Sequence, residues 1–366
     1  MRASPRKIRY AVVGLGHIAQ VAVLPAFAHA KRNSTLSALV SGDAQKQKAL
    51  SRKYRVPAYS YDQYEECLQQ VDAVYIALPN HEHAEYTVRA ANAGVHVLCE
   101  KPLAVTVEEC RRMIEACDEA GVKLMTAYRL HFERANVRAI ELVRRGRIGE
   151  PKYFASAFSM IVRPGDIRTR REKGGGTLYD IGVYCINAAR NLFQAEPKEV
   201  FAMSVNAVPH KLPDIDESTA AIMRFEGERI ASFVTSFNAA DVATLQIVGT
   251  KGDLRLDPAY EYAEGLEYDL TVDGTTKHVK TGKRDQFAPE LLHFSDCVLN
   301  DTEPEPSGWE GLQDVRIIEA MYESAETGKP IELPPYTERK RPSVAQVVTK
   351  PPVREPDTVK ARQPHE

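Results

Sequence analysis

Ile8-Arg9-Tyr10-Ala11-Val12-Val13-Gly14-Leu15-Gly16-His17-Ile18-Ala19 is the stretch that decides the fold. A β-branched run leads directly into a G-x-G-x-x-A pattern, and apolar residues at helical spacing follow over residues 17–28. Gly14 permits a tight turn, Gly16 lets the backbone approach a pyrophosphate, and Ala19 is small enough for a helix to pack on the strand. The N–H groups and positive end of that helix would meet the phosphate charge. Alone the motif is weak. At the head of a βαβ array it reads as a dinucleotide site, with Gly14, Leu15, Gly16, His17 and Ile18 on the cofactor.

Outward from this stretch, strands are expected at 8–13, 36–41, 73–78, 96–99 and 123–127. Amphipathic helices are expected between them at 17–28, 44–53, 82–93 and 107–120. This is the pattern of a doubly wound parallel sheet, a Rossmann domain over residues 1–127. A helix at 131–145 and another near 311–326 are expected to pack on it. After residue 149 the texture changes to alternating strands at 152–162, 199–208, 218–225, 230–238 and 244–248, interrupted by a helix at 178–193. Short, turn-rich links make these a mainly antiparallel open sheet, so residues 128–332 read as an α+β substrate and oligomerisation domain. A further helix is expected at 289–299. From 333 to 366 Pro, Lys, Arg and Val dominate. A solvated flexible tail is the favoured reading, and an arm laid over a neighbouring subunit is the other.

Composition narrows the function. Lys+Arg 48 against Asp+Glu 50 leave a net charge of -2, without the basic excess of a nucleic-acid binder. The basic triplet Arg339-Lys340-Arg341 is read as solvated. No apolar run approaches the roughly 20 residues that span a bilayer. The short basic start lacks a signal-peptide core, and the six cysteines contain no C-x-x-C, so buried reduced thiols in the cytoplasm are expected.

Which dinucleotide binds is read at the end of the second strand, Val40-Ser41-Gly42-Asp43, with Lys46 one turn on. A carboxylate there grips the ribose hydroxyls of NAD, whereas a 2'-phosphate wants hydroxyl and cationic partners. Ser41, Gly42 and Lys46 favour NADP over NAD, and Asp43 is read as the cap of the next helix. Ligands of open α/β sheets sit outside the carboxyl ends of the strands. Leu78, Pro79, Asn80 and His83 after one strand, and Glu100 and Lys101 after the next, are therefore placed at the cofactor. His81-x-His83 lacks further ligands at a plausible spacing, so no metal is expected.

At Cys99-Glu100-Lys101-Pro102 the chain resembles the Gfo/Idh/MocA family, most closely its glucose–fructose oxidoreductase branch. The resemblance spans about residues 8–330. It is carried by Gly14-Leu15-Gly16, Ala38-Leu39-Val40-Ser41-Gly42, Ala73-Val74-Tyr75-Ile76, Leu78-Pro79-Asn80 and Tyr128-Arg129-x-His131. Further along it continues with Gly174-Gly175-Gly176, Asp180-Ile181-Gly182-x-Tyr184 and Gly311-x-Gln313-Asp314-Val315-Arg316. It implies an NAD(P)-dependent enzyme acting on a sugar, with Lys101 and Tyr184 at the reacting hydroxyl or carbonyl and Asp180 beside them. It also implies Ser41 and Lys46 on the 2'-phosphate, and an open sheet that covers the nicotinamide and often forms the interface of a homodimer or homotetramer. Many relatives have histidine at Tyr184; tyrosine marks the glucose–fructose branch. Ile167 stands where that branch has tryptophan and Asp43 where it has asparagine, two departures that weaken cofactor retention.

The chemistry needs a base for the hydroxyl proton and a hydride acceptor. A phenol serves as that base when an adjacent ammonium favours the phenolate, and Lys101 is placed to do so for Tyr184. Asp180, four residues before Tyr184, shares its helix face and can orient the sugar or the lysine. Arg129 and His131 are placed near the nicotinamide or substrate, with a surface ion pair the alternative for Arg129. Arg168 is taken as a cofactor contact from a loop, residues 168–173, expected to be mobile over the site. Two other functions stand beside an NADP-dependent sugar oxidoreductase: a cofactor-retaining sugar–sugar oxidoreductase, and a non-catalytic NADP-sensing regulator. Retention of Lys101, Asp180 and Tyr184 together argues against the regulator.

Overall fold

The computed structural model describes residues 6–206, 212, 214–337 and 340–363. The first five residues, Ala207 and Val208 at the end of one expected strand, Arg339 of the basic triplet and residues 364–366 lie outside that range.

Six strands, β1 (Ile8–Val13), β2 (Ser34–Val40), β3 (Ala58–Tyr59), β4 (Ala73–Ile76), β5 (His96–Glu100) and β6 (Leu124–Ala127), form an all-parallel sheet in the order β3-β2-β1-β4-β5-β6. The order reverses beside β1, which creates the crevice where such folds bind nucleotides. Every residue of β4 and β6 is buried, as expected when helices cover both faces of a parallel sheet. One core lies on each face. Val13, Val74, Ile76 and Val97 pack against helices His83–Asn92 and Val107–Glu119 on one side. On the other, Tyr10, Val12, Tyr75 and Leu98 meet Phe287, Leu291 and Phe294 of helix Phe287–Asn300. Asp43 caps helix Ala44–Tyr54, its Oδ1 accepting from the backbone N–H groups of Gln45 and Lys46 at 2.8 and 3.0 Å.

The second sheet has nine strands. They are β7 (Pro151–Ile161), β8 (Glu199–Val205), β9 (Ser218–Phe225), β10 (Arg229–Ser236), β11 (Asn238–Gly249), β12 (Gly252–Leu256), β13 (Leu266–Val272), β14 (Thr275–Gly282) and β15 (Ile331–Glu332). Their order is β14-β13-β12-β11-β7-β10-β9-β8-β15, and the pairing is antiparallel except between β7 and β10, where Ile230 to Ser236 run parallel to Tyr153 to Ser159. The mainly antiparallel open sheet expected from the sequence is therefore present, with one parallel pair inside it. Strands β12 to β14 were not anticipated. Their outward positions carry Arg255, Lys277 and Lys280, and β14 is exposed along most of its length, so no apolar alternation marks it.

Helix Val183–Phe193 covers the inner face of this sheet, and helix Gly308–Thr327 joins the two halves. Leu312 and Val315 of the latter enter the Rossmann core, whereas Ile317, Ile318 and Met321 enter the core of the second sheet. All six cysteines are free and buried. Among the described residues no helix is long and apolar enough to cross a membrane.

Arg190 locks these two helices. It is fully buried and pairs with Glu196 (2.6 Å), Glu310 (2.9 Å) and Asp314 (2.6 Å). Arg190→Met keeps the volume but leaves the buried Glu310 and Asp314 without their cation, while Glu196 retains Arg341. The expected loss of stability is about 3–5 kcal/mol, read as a fall in the urea unfolding midpoint.

Candidate active site

A cleft of about 740 Å3 runs from the glycine turn after β1 to the inner face of the second sheet. That is within the range of about 300–1,000 Å3 in which cofactor-sized ligands are held. Its first wall is the turn itself. Gly14 has φ +90°, and a Cβ there would lie 2.5 Å from the carbonyl oxygen of Ala77, so only glycine fits. At Gly16 a Cβ would meet nothing within 4 Å, which leaves open space over the backbone for a ligand. Leu15, His17 and Ile18 line the same wall. The helix beyond opens with a π turn, Ala19–Val23, before continuing as Leu24–Ala26.

Further along the cleft come Ser41 and Lys46, then Leu78, Pro79 and Asn80 after β4, and Glu100 and Lys101 at the end of β5. A glycine cradle, a hydroxyl with a cation at one end and a lysine at the other suit a dinucleotide that carries phosphate.

The far end holds the charged cluster. Lys101 Nζ donates to the carbonyl oxygen of Asp180 at 2.7 Å and lies 3.5 Å from its Oδ1. Arg168 Nε donates to the other carboxylate oxygen at 3.0 Å and is itself held by Asp166. Asp180 sits in a π turn, Leu178–Gly182, that runs into the α-helix bearing Tyr184. Such turns concentrate at functional sites because the extra residue re-aims side chains. The ammonium of Lys101 lies 4.7 Å from the Tyr184 ring centroid, and the Arg129 guanidinium carbon lies 5.1 Å from it.

Burial works against the charge of Lys101, but Tyr184, Asp180 and Glu100 more than reverse this and raise its pKa. The group is therefore an ammonium throughout the neutral range. Burial also disfavours the Asp180 carboxylate, yet Arg168 and Lys101 hold its pKa below the ordinary value. Glu100 is the contrast. Burial raises its pKa although Lys101 and the Tyr75 hydroxyl, which donates to it at 2.8 Å, oppose the rise.

Residues 8–128 match the family described as "Oxidoreductase family, NAD-binding Rossmann fold", and residues 136–255 match the "GFO/IDH/MocA C-terminal domain". A D-xylose 1-dehydrogenase (NADP(+)) of Haloarcula marismortui is 33% identical over 90% of this chain and 94% of its own. The chain belongs to the Gfo/Idh/MocA oxidoreductase family. A second relative, D-xylose 1-dehydrogenase (NADP(+)) 2 of Haloferax volcanii, is 31% identical over 88% of this chain and 99% of its own. Among solved structures, the aldose-aldose oxidoreductase of Caulobacter crescentus, complexed with glycerol, superposes with TM-score 0.86. It is 36% identical and covers 90% of this chain and 100% of that one. As a Gfo/Idh/MocA member the protein is an NAD(P)-dependent oxidoreductase.

Three residues placed at the site from sequence lie elsewhere. His83 is fully buried, with its ring nitrogens 2.9 and 3.0 Å from the carbonyl oxygens of Pro102 and Leu78, where it ties two strand-end loops together behind the cleft. Gly42 lies against the Tyr61 ring, which would meet an added Cβ at 3.0 Å, and it is Tyr61 that reaches the cleft. His131 is buried between Glu305 and Asn187, each 2.7 Å away, with Asn191 at 3.4 Å and the Tyr128 ring stacked on it. Arg129 does line the cleft, but its guanidinium is anchored on the Tyr260 carbonyl and the Gln286 side chain and is no surface ion pair. The loop over the site is tied down by short turns at Ile167–Thr169 and Arg171–Lys173, and Asn80 donates to the Gly174 carbonyl at 2.8 Å. Among the described residues no group of three histidine, cysteine or acidic side chains could hold a metal.

The sequence reading missed Tyr260, Glu261, Tyr262 and Gln286, which close the cleft around Arg129. The aromatic and acidic run Tyr260-Glu261-Tyr262, two residues after a proline, was the available signal.

The His131 cluster has a pH signature. Burial opposes its charge, but Glu305 overcomes this and carries the pKa up to about 9. Its folded pKa exceeds the unfolded value of about 6.5, so its contribution is complete below about pH 6.5 and is lost as pH rises through about 9. The urea midpoint is expected to fall across that window, and His131→Gln to flatten the slope with the cofactor KM unchanged.

Proposed function

We propose that the protein is an NADP-dependent sugar oxidoreductase in which Tyr184 is the general acid/base and Lys101 its charged assistant. The observation that carries this is the seating of the Lys101 ammonium over the Tyr184 ring, with Asp180 fixing the lysine, in the same cleft as the glycine turn. The D-xylose specificity and NADP in the relatives' names support a sugar hydroxyl as the reacting group and NADP as the cofactor.

When bound, the nicotinamide supplies the acceptor or donor of the hydride. Tyr184 takes the hydroxyl proton during oxidation and returns it during reduction. Lys101 keeps its positive charge beside the oxygen that becomes an alkoxide, which lowers the barrier electrostatically. Asp180 aligns Lys101 and, through its second oxygen, holds Arg168 at the cleft wall. Arg129, fixed at its far side by Tyr260 and Gln286, presents its face to the Tyr184 ring and restricts the tyrosine's position. Ser41 and Lys46 take the 2'-phosphate.

Tyr184→Phe is expected to lower kcat by about 10²-fold or more with NADP affinity nearly unchanged, the signature of a lost general acid/base. Nicotinamide absorbance across an aldose and ketose panel, with NADP and NAD in parallel, checks it. Wild-type turnover in the variant, or a strong NAD preference, overturns the reading.

The likeness to an aldose-aldose oxidoreductase favours a second version, in which the cofactor stays bound and alternates between two sugars. Conversion of a sugar pair by purified protein with no added cofactor would identify it.

The assembly we propose is a homodimer or homotetramer built on the open sheet. On its outer face Tyr153, Met203, Ile222, Ile230 and Val234 are about half exposed on neighbouring strands. Single exposed apolar residues are ordinary, but a contiguous set on a flat sheet marks an interface, here with a second copy. Ile222→Asp with Val234→Asp is expected to yield monomers by sedimentation, and an unchanged assembly would remove this face from the interface.

A further inference from the structure

The C-terminal residues contribute to the cleft. After helix Gly308–Thr327 the chain crosses the outside of the molecule. Arg341 pairs with Glu196 at 2.6 Å, Gln346 donates to the Glu305 carbonyl at 3.0 Å, and the Lys350 carbonyl accepts from the Asp285 N–H at 3.4 Å. The tail expected to be solvated, or laid over a neighbour, thus follows its own chain. Val353, Glu355 and residues 360–363 then reach the cleft that holds Gly16, Ser41 and Lys46.

The docking is specific. Gln20, in the helix after the glycine turn, is 2% exposed and uses both ends of its amide on the tail. Its Nε2 donates to the Val359 carbonyl at 2.9 Å and to the Leu15 carbonyl at 3.0 Å, and its Oε1 accepts from the Val359 N–H at 2.7 Å. This two-way pairing sets the register of the tail. One residue on, Lys360 Nζ meets Asp43 Oδ2 at 3.0 Å.

We infer that this C-terminal segment is a built part of the cofactor site and that Lys360 makes it select a dinucleotide with an adenosine 2'-phosphate. The inference rests on reading the cleft as a dinucleotide site. A carboxylate just after β2 would grip a bare ribose diol and repel a 2'-phosphate. Here Asp43 has one oxygen committed to capping a helix and the other to Lys360, so its charge is offset where the phosphate would lie. Lys46 is close enough that burial, and then Lys360, depress its pKa against the pull of Asp43. Two ammonium groups crowd one carboxylate around Ser41, a surplus that a phosphate dianion relieves.

Binding of NADPH and NADH to the full chain, followed by nicotinamide fluorescence, tests this. Lys360→Ala is expected to weaken NADPH about tenfold, the loss of one charge-assisted contact, and NADH less than twofold. Adding Asp43→Asn, which still caps the helix, should restore most of the NADPH affinity because the repulsion is gone. NADPH, more than NADH, should also slow tryptic cleavage after Lys360 and Arg362. Equal changes for both cofactors, no change for either, or no rescue by Asp43→Asn would overturn the inference while leaving the dinucleotide reading intact. Failure of the wild-type protein to bind either cofactor would overturn both.

Discussion

The contact on which the site depends is the half-buried meeting of Lys101, Asp180 and Arg168. The lysine ends a Rossmann strand, the aspartate sits in a π turn of the second half, and the arginine comes from the loop that crosses the cleft. Removing such charges from water is costly unless each is hydrogen-bonded in good geometry, so the arrangement tolerates little displacement. Asp180 meets the requirement by offering its backbone carbonyl and one carboxylate oxygen to Lys101 and the other oxygen to Arg168. The cleft floor therefore exists only where the two halves are docked. The helix that spans both cores and the Arg190 cluster beneath it keep them so.

Lys101 and Arg129, two cations beside the Tyr184 ring, give this floor a local positive surplus in a partly desolvated place, where Coulomb interactions are strong. That surplus is useful only if it faces the reacting oxygen, and the Tyr184 ring lies between Lys101 and Arg129. The same logic recurs at the other end of the cleft with Lys46 and Lys360 around Asp43. One end thus suits a developing alkoxide and the other a phosphate. The neutral middle, lined by Leu78, Pro79 and Ala77, leaves space for the rest of the ligand.

Much of this was legible in the sequence because it depends on local spacing. The strand, glycine turn and helix at residues 8–26, the Asp43 cap and the four-residue offset of Asp180 and Tyr184 follow from short-range periodicity. Side-chain direction does not. His83 and His131 lie only a few residues beyond Asn80 and Arg129, yet both turn into the protein, and position after a strand says nothing of which way a residue faces beyond the turn. Strands β12 and β13 do carry alternation, in Leu254-Arg255-Leu256 and Leu266-Glu267-Tyr268-Asp269-Leu270, whereas β14 hid because it is polar and exposed along most of its length. The tail hid for another reason. Its composition cannot build a core, but it docks through backbone groups, two ion pairs and one buried glutamine, which composition does not reveal.

The cleft also holds two carboxylates with opposite tendencies. Burial disfavours both, but Arg168 and Lys101 bring the pKa of Asp180 below its ordinary value, whereas burial leaves that of Glu100 raised against the pull of Lys101 and Tyr75. Environment separates them, as it does the paired acids of many enzymes. Glu100 accepts from the Tyr75 hydroxyl and the Lys101 N–H and so fixes the backbone from which the lysine projects. Glu100 then sets where Lys101 stands, Asp180 sets where it points, and the ammonium is left beside the Tyr184 ring.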